Sequence, residues 1–291
     1  ILPHVGRQGR AIMNTINPQK VIRNIVVYTF LLLFIFFSLL PLLWMLSTSV
    51  KPEILTREFP PKIIPRIVTL ENYKYLFEGS LIPRYLFNSL LMGFTTILGV
   101  LFFGTLAGYG FSRYEFRGKS VLLVLMLASV MISGATIIVP LYLMFLRLKL
   151  INTHFSLFLV YVVQALPIST WLLKAHFDSL PKALDEAAML DGCSRLKILY
   201  QIIIPESIPG IGAVSLYTLV LVWREFIMAS TFITKNELKT LPVGVYQFFT
   251  ELGIEWGKLG ATVMMAILPM TILFIMFQRH FNPAEISSGV K

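Results

Sequence analysis

Charged side chains are concentrated in one segment of the second half of the chain, between two apolar runs long enough to cross a membrane. Residues 180–205 carry Lys182, Asp185 and Glu186, with Gly192 where a helix needs a left-handed stop. Carboxylates projecting from a short helix can offer charge to a partner protein. The segment is therefore predicted to form a helix, a glycine turn and a second helix that project from a membrane domain.

Capping signals frame both predicted helices. Ser179 can cap the first helix, and Pro181 suits its first turn, where the missing N–H would have no partner anyway. Ser194 can cap the second helix, which Pro205 is predicted to end. Four apolar residues fall on one stripe of the first helix: Ala183, Leu184, Ala187 and Leu190. By itself this pattern is also that of an ordinary amphipathic loop between membrane helices.

Catalytic chemistry finds little support in the sequence. Gly118-Lys119-Ser120 resembles the end of a phosphate-binding Walker A loop, which needs a glycine five residues before Gly118 and a preceding strand. Position 113 is Arg and an apolar run follows directly, so the match is predicted to be accidental. No nucleophile with a neighbouring base and acid is recognisable. The chain is therefore predicted not to be an enzyme.

Metal, disulfide and nucleic-acid chemistry are not predicted either. The four histidines, at positions 4, 154, 176 and 280, have no metal-ligand spacing, and Cys193 is the single cysteine. The net charge is +10, but the basic residues are spread over loops between apolar runs and form no stripe. Basic residues that flank apolar runs are typical of membrane proteins.

Two adjacent ionisable residues, Arg224 and Glu225, fall inside an apolar run. Charged groups at membrane depth are costly and usually face a bundle interior or an aqueous cavity. Neighbouring helix residues point about 100° apart, so the two are not expected to pair with each other. They are candidates for a translocation pathway, or alternatively for ion pairs with other helices or a position near the outer interface. Gln164 and Tyr217 are further pathway candidates, because both bring hydrogen-bonding atoms into apolar runs.

The composition places these residues in a membrane protein. With 56% hydrophobic residues, 14% charged residues and a mean hydropathy of +0.76, the chain is too apolar for a soluble domain of its size. The apolar runs predict an all-α polytopic fold with six transmembrane helices: Ile25–Met45, Asn88–Phe111, Val121–Phe145, Phe155–Phe177, Gly210–Ser230 and Gly257–Gln278. We predict a tail over residues 1–24 and a single membrane domain over residues 25–291.

Glycine and proline punctuate these runs. Five glycines predict a packing face on the second span: Gly93, Gly99, Gly104, Gly108 and Gly110. Gly134 and Pro140 are predicted to break the outer half of the third span, and Pro167 to interrupt the fourth. Within the polar loop 50–84, residues 70–77 are predicted to lie as a helix at the membrane interface.

The orientation follows from the tail and the span count. Residues 1–24 are basic without acidic residues, which favours a cytoplasmic N-terminus, and an even number of spans puts both termini on that side. The polar segment at 180–205 then also faces the cytoplasm.

Glu186-Ala187-Ala188, with Gly192 and Ile204-Pro205 at their spacing, resembles the "EAA" loop of permease subunits of binding-protein-dependent ABC importers. The likeness extends from Asn88-Ser89-Leu90 to the C-terminal end. It is strongest to the carbohydrate branch, which includes the smaller permease of maltose importers. Residues 278–281 and 289–291 also fit that branch.

This resemblance implies a permease domain whose EAA loop, at about residues 179–205, docks on a cytoplasmic ATPase. The residues that it assigns to ATPase coupling are Asp185, Glu186, Ala187, Ala188, Asp191, Gly192 and Pro205. It implies a second homologous permease, two ATPase subunits that hold ATP and Mg²⁺, and an external solute-binding protein. The chain itself would hold no cofactor and would lie in the bacterial cytoplasmic (inner) membrane.

The implied ligand is a sugar or oligosaccharide. In the carbohydrate branch an Asn commonly stands where Arg224 stands, after the Trp, so this departure predicts an anionic saccharide such as a uronate oligomer, as in an alginate-type importer. Basic residues in the external loops would raise the local anion concentration: Arg57, Lys62, Arg66, Arg84, Arg147, Lys149, Lys235 and Lys239. A self-sufficient ion-coupled transporter and an integral membrane enzyme are the alternatives. The first normally contains inverted repeats, which the sequence does not show.

Overall fold

The computed structural model describes residues 18–132, 134–250 and 253–278, and these are mostly helical with only two short strands, which confirms the all-α fold class. The longer helices are α1 (Pro18–Ser49), α2 (Glu71–Glu78), α3 (Ile82–Arg113), α4 (Lys119–Ser129), α5 (Gly134–Arg147) and α6 (His154–Ser179). The second half continues with α7 (Ala183–Leu190), α8 (Arg195–Ile198), a π-helical segment (Leu199–Ile203), α9 (Ile204–Glu206), α10 (Ile208–Trp223), α11 (Ile227–Phe232), α12 (Leu241–Gly244) and α13 (Trp256–Gln278).

Short elements complete the described part. Three 3₁₀ turns occupy Glu53–Arg57, Asn236–Leu238 and Val245–Phe248, and the antiparallel strands β1 (Phe249–Thr250) and β2 (Gly253–Ile254) form a hairpin before α13. The helix predicted at residues 70–77 is confirmed as α2. Most of the predicted basic tail, Ser133 and the predicted C-terminal features after residue 278 lie outside the described residues.

Four helices are long and apolar enough to cross a membrane within the described ranges: α1 from Arg23, α3, α6 and α13 up to Met276. A fifth span results if α8 to α10 are counted together, although the chain bends by 81° between Glu206 and Ile208. The predicted third span is divided into α4 and α5, which extend for only about 16 and 21 Å. The count of six spans therefore stays a prediction.

The core of the bundle is the contact of α3 with α6, and glycines make it close. A β carbon at Gly99 would lie 2.8 Å from Cγ2 of Val162, and one at Gly108 would lie 3.1 Å from Cβ of Leu173. This confirms the predicted packing face, since only a residue without a side chain allows such an approach. Gly110 is the exception, because nothing lies within 4 Å of a β carbon there.

Two predicted interruptions differ from the structure. Pro140 lies inside α5, and the break in the third span falls before Gly134 rather than at the proline. Pro167 lies inside α6, which is continuous from His154 to Ser179. Pro167 is buried, and neighbouring helices pack around the position where one backbone hydrogen bond is missing.

The predicted fifth span ends early. α10 is 16 residues long, about 24 Å, and ends at Trp223, well before the predicted end at Ser230. The hydrocarbon core of a bilayer is about 30 Å thick. The chain turns at Arg224–Phe226 and continues as α11, so both ionisable residues stand at a helix break and not in the middle of a helix.

α3 connects two ends of the molecule. Its 32 residues extend for about 48 Å, more than the apolar thickness of a bilayer. Near its C-terminus α3 contacts the segment 180–207, and we name this the hairpin end. Near its N-terminus α3 contacts the loop 234–241, and we name this the loop end.

Candidate functional site

The segment between α6 and α10 forms a helical hairpin, which we name the coupling hairpin (residues 180–207). α7 stops at a left-handed glycine, with φ of +79° at Gly192. The N–H of Cys193 donates to the carbonyl of Ala188, and the N–H of Gly192 to that of Met189, both at 3.0 Å. This pair of bonds is a Schellman motif, which satisfies the last carbonyls of the helix. The predicted helix–glycine–helix geometry is confirmed.

Two of the predicted helix-end signals are wrong. The hydroxyl of Ser179 donates to the carbonyl of His176 at 2.6 Å, so it closes the end of α6 instead of capping α7, which has no side-chain cap. Pro205 does not end the second helix, because the π-helical segment before it accommodates the missing N–H. The chain instead bends at Ser207. The predicted cap at Ser194 is confirmed, since its Oγ accepts from the N–H of Lys197 at 3.4 Å.

The coupling hairpin turns its apolar stripe away from the rest of the chain. The buried residues of α7 are Asp185 and Ala188. All four members of the predicted stripe are exposed: Ala183, Leu184, Ala187 and Leu190. Leu190 has 90% of its surface exposed, and Glu186 is exposed beside the stripe. An apolar surface of this kind, next to a free carboxylate, is typical of a site that another protein covers.

Asp185 anchors the coupling hairpin to α3. The hydroxyl of Tyr109 donates to its Oδ1 at 2.6 Å, and Nε of Arg113 lies 2.9 Å from its Oδ2. The side chains of Asp185 and Arg113 are only 4% and 3% exposed. A buried carboxylate persists only with a partner charge and hydrogen bonds, and both are present here. Asp185 is therefore a support of the hairpin, and Glu186 is the carboxylate that a partner could reach.

Further contacts hold the hairpin end together. Nη2 of Arg113 donates to the carbonyl of Leu180 at 3.2 Å, at the start of the hairpin. The hydroxyl of Ser112 donates to Asp178 at 2.7 Å, which ties the ends of α3 and α6. The guanidinium of Arg195 lies 5.5 Å from the ring centroid of Tyr114. The hairpin is thus fixed to the last turn of α3 by contacts from both of its helices.

Lys119 of the Walker-like triplet is occupied by a structural contact. Its Nζ donates to Glu115 at 2.8 Å, and this hydrogen bond holds the pKa of that exposed carboxyl below its usual range. Gly118 has φ of +89° and begins α4 after a turn, with no strand before it. The prediction that the match is accidental is supported.

Arg224 and Glu225 have different surroundings. One carboxylate oxygen of Glu225 accepts from the N–H of Met228 at 2.7 Å. The other accepts from the N–H of Ala229 at 3.0 Å and the hydroxyl of Tyr161 at 2.9 Å. Glu225 therefore caps α11, where a negative charge also complements the helix dipole. Arg224 is exposed and has no ion pair among the described residues.

The other two pathway candidates lie on different helices. Gln164 is exposed on α6, and its Nε2 would lie 3.9 Å from a β carbon at Gly134. Tyr217 is half-buried on α10, seven residues before Arg224. Arg224 follows the last residue of that helix. Tyr217 also packs against the apolar cluster that includes Ala188 and Ile203 of the coupling hairpin.

Three structural partners had no clear sequence signal. Tyr109 and Tyr161 look like ordinary apolar residues of their spans, yet each donates a hydroxyl to a carboxylate. Arg113 has the form of a flanking basic residue at a helix end, but it is buried. Among the described residues no group of three or more His, Cys, Asp or Glu side chains could hold a metal ion.

Comparison with known proteins gives the family. The family model described as "Binding-protein-dependent transport system inner membrane component" matches residues 100–286. The chain is 30% identical over 275 residues to the inner membrane ABC transporter permease protein YcjP of Escherichia coli, covering 94% of this chain and 98% of the relative. It is 32% identical over 276 residues to the trehalose/maltose transport system permease protein MalG of Thermococcus litoralis, covering 94% and 99%.

A solved structure has the same fold. A chain of a bacterial ABC transporter involved in the import of the acidic polysaccharide alginate superposes with a TM-score of 0.80 at 19% identity, covering 91% of this chain and 98% of that chain. The match to the family model and the two relatives give the same family, and the fold is that of a chain of a bacterial ABC transporter. The chain therefore belongs to the family of binding-protein-dependent transport system inner membrane components, the permease subunits of ABC importers.

Proposed function

We propose that this chain is one of two permease subunits of an ATP-driven importer for a sugar or oligosaccharide delivered by an external solute-binding protein. The observation that carries the proposal is the coupling hairpin, whose apolar stripe is exposed while its other face is fixed to α3. The relative named as a trehalose/maltose permease, which matches nearly full length, supports the carbohydrate class.

Two ATPase subunits bind at the hairpin ends of the two permeases, on the cytoplasmic side with both termini. The exposed leucines Leu184 and Leu190 would fill a groove on the ATPase, because removing exposed apolar side chains from water is favourable. Glu186 and Asp191 offer charge at its edge. Motion of the ATPase then moves the hairpin, and the Asp185 anchor transmits that motion to α3.

Docking at this surface can be tested by crosslinking. In a Cys193→Ser background, Leu190→Cys is expected to crosslink to the ATPase subunit of the assembled complex. Lys235→Cys, an exposed position at the loop end, is the matched control and is expected not to. Absence of crosslinking from position 190 would refute the docking surface. Crosslinking from position 235 instead would show that the orientation is the reverse of the proposed one.

ATP and Mg²⁺ are bound by the partner subunits, since the chain carries no phosphate loop. The purified chain alone is therefore expected to hydrolyse no ATP, and hydrolysis is expected to appear when an ATPase subunit is added. Measurable turnover by the homogeneous chain would contradict this. Co-purification with an ATPase also separates the proposal from an ion-coupled transporter or a membrane enzyme.

We further propose that the ligand is anionic. Arg224 is an exposed guanidinium at the end of a helix that is shorter than the bilayer core, and no described carboxylate neutralises it. A carboxylate of the ligand can meet a guanidinium with two parallel hydrogen bonds.

The test compares Arg224→Asn with the unaltered complex in proteoliposomes, using acidic and neutral oligosaccharides of equal length. Selective loss of acidic uptake is expected, by up to roughly a hundred-fold for one lost charged hydrogen-bond pair. Lys235→Gln serves as a matched control, because it removes an exposed charge from the same end. Unchanged acidic uptake in Arg224→Asn would exclude a direct role for this residue.

A further inference from the structure

A cavity of about 490 Å³ opens at the loop end, beside the break between α10 and α11. Its walls come from the start of α3, from α11 and from the loop that precedes the β-hairpin. The wall residues important here are Phe226, Tyr246, Asn236, Lys239 and Gln247. The volume lies in the range of about 300–1,000 Å³ that small-molecule sites occupy.

Phe226 and Tyr246 line this cavity, and a third aromatic ring, Phe249, continues their run from outside it. The ring of Phe226 stacks on that of Tyr246 with centroids 4.9 Å apart, and Tyr246 stacks on Phe249 at 5.3 Å. Tyr246 remains 59% exposed and Phe249 49% exposed. The run begins in β1 and ends two residues after Arg224. It therefore leads from the β-hairpin to the helix break that carries the free guanidinium.

Polar side chains line the same cavity, and the loop backbone beside Lys239 is held in place. Lys239 is half-buried and has no ion pair among the described residues. Its carbonyl accepts from Nδ2 of Asn88 at 2.9 Å, and the N–H of Leu241 donates to Oγ of Ser89 at 2.8 Å. The loop is thus pinned to α3 on both sides of Thr240. Such preorganisation lowers the entropy that a ligand must pay on binding.

We propose that this cavity is a saccharide subsite of the permease, through which sugar rings pass along Phe249, Tyr246 and Phe226 towards Arg224. The inference rests on the proposed function and names a contact surface for its ligand. A pyranose ring has C–H faces that pack on aromatic rings and hydroxyl groups that need hydrogen-bond partners. Asn236 and Gln247 supply both donors and acceptors, and Lys239 can meet a hydroxyl or a carboxylate. Exposed rings beside amides and a cation suit such a ligand better than an apolar one.

The subsite can be tested without the binding protein. The assembled complex in nanodiscs is titrated with maltotriose and with trigalacturonic acid, and binding is followed by saturation-transfer NMR of the sugar C–H protons. Both probes are expected to bind, the acidic one more tightly. Tyr246→Ala is expected to weaken binding of both by roughly five-fold, while Tyr246→Phe retains the ring and the binding. Lys239→Gln is expected to remove only the preference for the acidic probe.

Two matched controls separate local from general effects. Phe77→Ala removes an aromatic ring that is 64% exposed on α2, away from the cavity, and Lys235→Gln removes an exposed charge in the same loop. Neither is expected to change binding of either probe. Failure of the unaltered complex to bind either probe, or unchanged binding in Tyr246→Ala, would overturn the subsite.

A different occupant would give a different result. If Tyr246→Ala abolishes stimulation of the ATPase by the unliganded binding protein while sugar binding persists, the rings contact that protein and the proposal is wrong. The proposed function fails separately, if proteoliposomes with all subunits import neither acidic nor neutral saccharides. Import without sugar binding at the cavity would support the proposed function and contradict only the subsite.

Discussion

The hairpin end and the loop end each contain a pair of adjacent charged residues. In both pairs one side chain is bonded to other parts of the protein and the other side chain is exposed. At the hairpin end Asp185 is buried on Tyr109 and Arg113, while Glu186 is exposed. At the loop end Glu225 accepts from Tyr161 and two backbone N–H groups, while Arg224 is exposed. In each pair one member holds the backbone and its neighbour is left free, since adjacent side chains cannot face the same way.

The difference between the ends lies in how the bonded carboxylate is compensated, since Asp185 is buried and Glu225 is half-buried. Asp185 has a buried cation as its partner, whereas Glu225 has only hydrogen-bond donors and a helix N-terminus. Removing one member of a buried ion pair leaves the other charge buried without a partner. This lowers the free energy of unfolding more than the loss of a helix cap does. The hairpin end is therefore expected to be the more sensitive to substitution, and four changes test this order.

Asp185→Ala is expected to have the largest effect. It leaves the guanidinium of Arg113 buried without a counter-charge, which costs about 3–5 kcal/mol. The coupling hairpin should lose contact with α3, seen as faster amide hydrogen exchange over residues 183–198 in the assembled complex. Asp185→Asn, which still accepts from Tyr109, is the control and should lose less protection. Equal protection in Asp185→Ala and the unaltered chain would contradict the anchor.

Gly192→Val is expected to rank second. A residue with a β carbon in the left-handed conformation costs about 1–2 kcal/mol, and a branched one more. The protein should still insert, but ATP hydrolysis and uptake should become uncoupled. Gly192→Asn is the matched control, because nothing lies within 4 Å of a β carbon here and Asn tolerates positive φ. If Val supports normal uptake, the turn is not part of the coupling element.

Glu225→Ala is expected to cost about 0.5–2 kcal/mol, the usual value of a helix cap. α11 should fray, and thermal unfolding of the complex should shift to lower temperature. Glu225→Gln keeps one acceptor oxygen, so its unfolding temperature should lie between those of the unaltered chain and Glu225→Ala. If Glu225→Ala lowers the unfolding temperature of the complex more than Asp185→Ala does, the expected order of sensitivity of the two ends is wrong.

Glu186→Lys should have the smallest effect on stability, within about 0.5 kcal/mol, because the side chain is exposed. Its effect on function should nevertheless be large, since the reversed charge faces the ATPase. Binding of the ATPase and uptake are the measurements, with folding checked by thermal unfolding. Normal uptake would indicate that the charge at this position has no role in coupling.

The local pattern predicted the hairpin well and its surroundings poorly. The left-handed glycine and the cap at Ser194 depend on residues within a few positions of each other, so the sequence contains the information. The interruption expected at Pro167 is absent, because neighbouring helices compensate for a missing hydrogen bond that local reasoning treats as decisive. The early end of α10 was also missed. The capping of α11 by Glu225 involves Tyr161, which lies 64 residues away in the sequence.

The sequence by itself determined the all-α membrane fold, the glycine face of α3 and the helix–turn–helix at residues 183–206, because periodicity, composition and backbone sterics act over short distances along the chain. Only the tertiary structure decided which residue of each charged pair bonds to distant parts of the chain, which way the apolar stripe of α7 faces, and that Phe226 and Tyr246 line one cavity. Those outcomes depend on contacts between residues far apart in sequence, such as Tyr109 with Asp185 and Phe226 with Tyr246. No spacing along the chain encodes them.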